Sequence, residues 1–261
     1  MKRAPLLCLL TLLLTQQAFP WGHAGHAVVA DIAESRLTPE AARQVHEILA
    51  VEHFEHLHDV SAWADEIKKD RLPGSPAHSQ RQPLDHSTEI VIGACPSHYC
   101  AVQGIHDYYK MVADKSAPLE KREIALKYLV HLVGDIHQPF HGAAITGGGI
   151  HVVFLGKNDK LHGVWDAAIL YTRGRDPKEF AKKFEAEAAD RKLAYGGTPE
   201  QWALESRDLV RDRILPELPK AEDGKPIALP DNYGDKNWDV VQDRITQAGY
   251  RLAELLNSAL K

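Results

Sequence analysis

Residues 118–141, Pro-Leu-Glu-Lys-Arg-Glu-Ile-Ala-Leu-Lys-Tyr-Leu-Val-His-Leu-Val-Gly-Asp-Ile-His-Gln-Pro-Phe-His, carry one long helical pattern. Ile124, Leu126, Leu129, Val130, Leu132 and Val133 recur at helical spacing, and Pro139 stops the run. Outward from it the chain stays helical. Thr38 followed by Pro39 marks a helix start carried by Ala41, Val45, Ile48 and Leu49. Residues 60–69, 101–115, 161–172, 177–193, 198–214 and 238–260 show further helical patterns. Strand signals are confined to 86–92 and 150–155, and 218–236 reads as one long surface loop. Helices without alternating strands predict an all-α class: one mainly helical domain over 21–261, with a minor β-hairpin and long loops.

Residues 1–20 stand apart. Lys2 and Arg3 precede an apolar run from Leu6 to Leu14, the pattern of a secretory signal peptide cut before Trp21. The expected location is therefore secreted or periplasmic, with no membrane span. Export leaves Cys95 and Cys100, a close pair expected to form a disulfide; a zinc pair is the rival reading.

The 261 residues hold 31 basic and 36 acidic side chains, net −5, and 15 histidines. Residues 1–20 contain two bases and no acids, so the remainder carries −7. That balance excludes the simplest nucleic-acid binder, which holds phosphate with excess Lys and Arg. The histidines point elsewhere. His131 and Asp135 are four apart and share one helix face, His162 and Asp166 repeat the spacing, and His141 lies just past Pro139. Imidazole and carboxylate one turn apart suit zinc. A single such pair is usually a surface or capping pair. Two pairs plus His141, among Leu132, Val133, Val164 and Trp165, favour metal, because charge on an apolar face is costly unless paired or ligated. Trp21 and His26 add an α-amine and an imidazole at a defined terminus. His53, His56 and His58 read as solvated loop residues, and His137 faces away from His131.

The motifs Trp21-Gly-x-x-Gly-His26, Trp63-Ala-Asp65, His131 through His141, glycines 147–149 and Leu161-His162-x-x-Trp165-Asp166 resemble, in order, those of the zinc-dependent single-strand-specific nucleases and 3′-nucleotidases. That family shares its fold with bacterial zinc phospholipase C. The resemblance implies three zinc ions. Asp65, His131, Asp135 and one more histidine would hold the first. His141, His162 and Asp166 would hold the second. The amine and carbonyl of Trp21, with His26 and Asp135, would hold the third. The remaining first-site ligand is His86 or His78, with Asp85 a further candidate; His86 is favoured for its strand-like continuation. Asp65 and Lys68 are the expected catalytic groups. Lys68 stands where the family commonly has arginine, and so keeps the charge without the fork. Expected substrates are single-stranded DNA or RNA and 3′-nucleotides, cleaved to 5′-phosphorylated products, with no obligate protein partner. Three Zn²⁺ would bring −7 to about −1 and concentrate the positive field in one cleft. A zinc phospholipase C and a non-enzymatic zinc-binding protein are the alternatives.

Overall fold

The structure, a computed structural model, describes residues 21–67, 74–145 and 149–261. The proposed signal peptide and Lys68 lie outside the described residues.

The long helix anticipated after Pro118 is α6, Leu119–His137. It is buried on nearly every face from Arg122 onward, as expected of a helix at the centre of a domain. Even its charged residues are enclosed. Arg122 donates to Val112 O at 2.9 and 3.1 Å, and Lys127 lies 3.1 Å from Glu123 and 2.8 Å from Glu52. Around α6 pack α1 (Gly22–Ser35), α5 (Ala101–Ala113), α11 (Pro199–Leu209) and α12 (Tyr233–Ala259). Helix α1 was not expected from the pattern. Its Ala24, Ala27, Val28, Val29, Ala30, Ile32 and Ala33 are all buried, which makes the start of the domain part of the core.

Helix α2, Pro39–Leu49, begins as expected, with the Thr38 hydroxyl accepting from Ala41 N at 3.2 Å. Residues 60–66 are less regular than anticipated, forming α3 (Leu57–Val60) and α4 (Trp63–Glu66). His56 and Asp59 form a reciprocal cap on α3, and His56 and His58 lie 2.9 and 3.0 Å from Glu34 and Asp31. They tie α3 to α1 rather than standing free in solvent. Pro139 ends one helix and starts another, α7 (Pro139–Gly142). The segment 161–171 is continuously helical: α8 (Leu161–Gly163), a π-helical stretch Val164–Ala168, and α9 (Ile169–Tyr171). Helix α10 spans Pro177–Arg191.

The small sheet has the order β2-β1-β3, with β1 (His151–Phe154) antiparallel to β2 (Lys157–Lys160) and parallel to β3 (Ile227–Ala228). β3 falls inside the expected surface loop. Residues 86–92, expected as a strand, form none. Instead Gln82 Oε1 accepts from Val91 N at 2.6 Å, and the Gln80 and Gln82 amides donate to Val91 O at 3.0 and 3.1 Å. Side chains take the place of a ladder there. Among the described residues no helix is long and apolar enough to cross a membrane.

Cys95 and Cys100 are joined, with Cα atoms 5.7 Å apart. A loop this short limits the entropic gain to about 2 kcal/mol. Replacing both cysteines by serine is expected to lower the thermal midpoint by about 8 °C at most, while leaving far-ultraviolet circular dichroism unchanged.

Candidate metal centre

Helices α1, α4 and α6 deliver the first set of donors. His26 rests on His131, with ring centroids 4.1 Å apart. That approach requires Gly134 one turn away, because a Cβ there would lie 2.7 Å from His26 Nδ1. His26 Nε2 is 3.3 Å from Asp135 Oδ1, and His131 Nε2 is 3.2 Å from Asp135 Oδ2. Asp135 thus faces a different histidine with each oxygen. Asp65, on α4, places Oδ1 3.7 Å from His131 Nε2.

The fourth member is His78, which overturns the preference for His86. His78 Nδ1 lies 3.1 Å from Asp65 Oδ1, 3.5 Å from Asp135 Oδ2 and 3.2 Å from His131 Nε2. His86 is exposed and takes no part in this cluster, and Asp85 pairs with Arg207 at 3.5 Å. Backbone threading explains the choice. Gln80 N and Gln82 N donate to His141 O and Gly142 O at 2.8 Å, which carries His78 under α7 and leads the chain away before residue 86.

The second set comes from α7, α8 and the π-helical stretch that follows α8. His141, His162 and Asp166 gather their donor atoms within 4.8 Å of one another, as do His26/His131/Asp135 and Asp65/His78/His131. Gln138 holds the Asp166 carboxylate by donating to Oδ1, while its own oxygen accepts from Phe140 N at 2.5 Å. Outer contacts fix two rings as well: His131 Nδ1 donates to Ser61 O at 2.9 Å and His141 Nδ1 to His78 O at 2.5 Å, which leaves each Nε2 as the nitrogen that would face a metal. His137 stands apart, as expected. Its Nδ1 donates to Val133 O at 2.7 Å and its Nε2 accepts from Arg251 at 2.9 Å.

These residues fit zinc. His26 Nε2 and both oxygens of Asp135 are buried without a hydrogen-bond partner. Leaving such groups unmatched is costly, and a cation among imidazole and carboxylate donors removes the cost. The electrostatics agree. Burial disfavours charge on His131, but Asp135 and Asp65 outweigh it and raise the imidazole to about 10. Burial holds His141 down at about 3, so that ring is neutral at pH 7. Burial also raises Asp166. Asp135 is desolvated too, yet His131 and His141 pull it well below the usual carboxylate range. Zinc uptake at pH 7 is therefore expected to release protons, one of them from His131 and none from His141. Calorimetry in two buffers of different ionisation enthalpy gives the total, and a His131→Gln chain should release fewer.

Trp21 is buried with φ 46°, and its carbonyl already accepts from Gly25 N at 3.0 Å. A second lone pair remains on that oxygen. Gln138 was not anticipated as a site residue. The signal was its place between the ligand candidates Asp135 and His141, but a glutamine there reads equally as a helix cap. Gln138→Leu is expected to cost about 10–100-fold in affinity at the His141/His162/Asp166 group, measured by competition with a zinc chelator.

The floor formed by His78, His141, His162 and Asp166 opens into a cavity of about 670 Å³. Residues 21–261 match the model of the S1/P1 nuclease family. The chain belongs to that family. It is 30% identical to nuclease P1 of Penicillium citrinum over 91% of this chain and 97% of the relative. It is 27% identical to nuclease S1 of Aspergillus oryzae, over 95% and 94%, and 26% identical to endonuclease 2 of Arabidopsis thaliana, over 91% and 89%. The S1/P1 chain described here is a nuclease, a hydrolase of phosphoester bonds.

Proposed function

We propose that this S1/P1 nuclease is exported and uses three zinc ions to cleave single-stranded DNA and RNA to 5′-phosphorylated products, with 3′-nucleotidase activity. The observation that carries the reading is the clustering of three donor groups, two of them sharing His131, with His78 of one group and all of His141, His162 and Asp166 lining one open cavity. The zinc ligands would be Asp65, His78, His131 and Asp135 for one ion, and His141, His162 and Asp166 for the next. Trp21, His26 and Asp135 would hold the third. Export is supported by the signal-peptide pattern of residues 1–20.

Zinc in such a cluster lowers the pKa of water toward about 7 and stabilises charge on phosphoryl oxygens. The protein supplies the placement. Asp65 is desolvated, but His131 and His78 hold its carboxyl below the usual range, so it stays ionised. It therefore accepts a hydrogen bond from the attacking water and orients it rather than storing its proton. Lys68 adds positive charge at the phosphate. The water oxygen bonds to phosphorus as the bond between phosphorus and O3′ breaks, the proton lost by the water is returned through solvent to the released O3′, and the phosphate stays on the 5′ side. The buried floor accounts for strand preference: His78 and His141 are 7% and 4% exposed, so a phosphate must bend inward to reach them. A flexible single strand can do this, and a rigid duplex resists it.

Digestion of single-stranded DNA with zinc present, abolished by a chelator and yielding 5′-phosphorylated ends, is the expected result. No digestion by zinc-loaded protein, with turnover of phosphatidylcholine instead, would contradict it.

A further inference from the structure

The cavity over His141, His162 and Asp166 has two cations in its walls, Arg81 and Lys160, that the metal groups do not use. Arg81 lies in the extended segment threaded beside His141. Its neighbours donate to His141 O and Gly142 O, and Ala144 N donates back to Gln82 O at 2.8 Å. Side chains alternate in such a segment. Gln80 and Gln82 turn inward and are fully buried, so Arg81 projects the other way, exposed, into the cavity. Lys160 ends β2, pairs in register with His151, and directly precedes the helix that carries His162. Both cations are thus anchored by backbone beside a candidate ligand.

Among the described residues neither side chain makes a hydrogen bond or an ion pair. By contrast Arg43, Arg173, Arg191 and Arg213 each pair with a carboxylate. In an acidic protein, two unneutralised cations in one cavity favour an anion there. Asp159 shares the wall; its Oδ1 accepts from Lys160 N at 2.7 Å, and it makes no ion pair with Arg81 or the Lys160 ammonium. Ser79 and Ser97 add hydroxyl donors to the same lining.

We propose that Arg81 and Lys160 form a subsite for a phosphate flanking the one that is cleaved, so that the site selects strands with consecutive phosphates over isolated phosphoesters. The guanidinium supplies a fork and the ammonium a point charge. The proposal rests on the nuclease reading of the metal centre.

The test compares a short oligothymidylate with 3′-thymidine monophosphate on zinc-loaded protein across a salt series. Arg81→Ala and Lys160→Ala are each expected to lower kcat/KM for the oligonucleotide relative to the mononucleotide by about tenfold, through KM. The slope of log kcat/KM against log salt should flatten by about 0.7 for each lost phosphate contact. Arg81→Lys should restore the slope. An equal effect on both substrates, or an unchanged slope, would overturn the subsite alone. Inactivity of the zinc-loaded parent on both substrates would overturn the nuclease reading and the subsite with it.

Discussion

Asp135→Asn is expected to lower the bound zinc and to reduce nuclease activity by more than about 100-fold. Residues that merely orient a metal ligand cost about 10–100-fold when removed. Asp135 does more than orient. It is fully buried and turns Oδ1 toward His26 and Oδ2 toward both His131 and His78. An amide nitrogen in place of either oxygen would bring a donor to one of those contacts and remove the negative charge that opposes desolvation. Elemental analysis of the variant should show less zinc per chain, alongside a near-native circular dichroism spectrum. Full zinc content with full activity would show that Asp135 is not a shared ligand.

Gly134→Ala is expected to separate activity from stability. Alanine gains about 1 kcal/mol of helix propensity over glycine. Against this stands the contact of the new methyl with His26 Nδ1 at 2.7 Å. His26 cannot yield easily, being buried and stacked on His131. Overpacking of this kind costs about 1–3 kcal/mol, so the net loss is about 2 kcal/mol at most, a shift of about 4–8 °C for a domain of this size. The shift of His26 away from Asp135 should cost far more in function, at least about tenfold. A variant with the parent's activity would contradict the close approach of α1 to α6.

The candidate metal framework was legible wherever both partners of a contact lie on one helix. His131 with Asp135 and His162 with Asp166 needed only the four-residue spacing, and the expected helices appear at both places. Choosing His78 over His86 needed tertiary information. The apolar run Ile90-Val91-Ile92 suggested a strand that would start at His86, but Val91 and Ile92 are 50% and 67% exposed, and buried glutamines hold both backbone groups of Val91. Helix α1 was missed for a similar reason. A run of small apolar residues beside a proposed processing site resembles a loose terminus, and only its packing against α10 and α12 makes it core. Gly249 permits the second of these contacts, since a Cβ there would meet Ile32 at 2.5 Å.

The most direct test of the centre is the zinc count of purified protein beginning at Trp21, taken by native mass spectrometry. Three ions per chain are expected, and two when one residue is added before Trp21 so that the α-amine moves away. A parent chain that holds one ion or none under zinc-replete conditions would contradict the trinuclear centre.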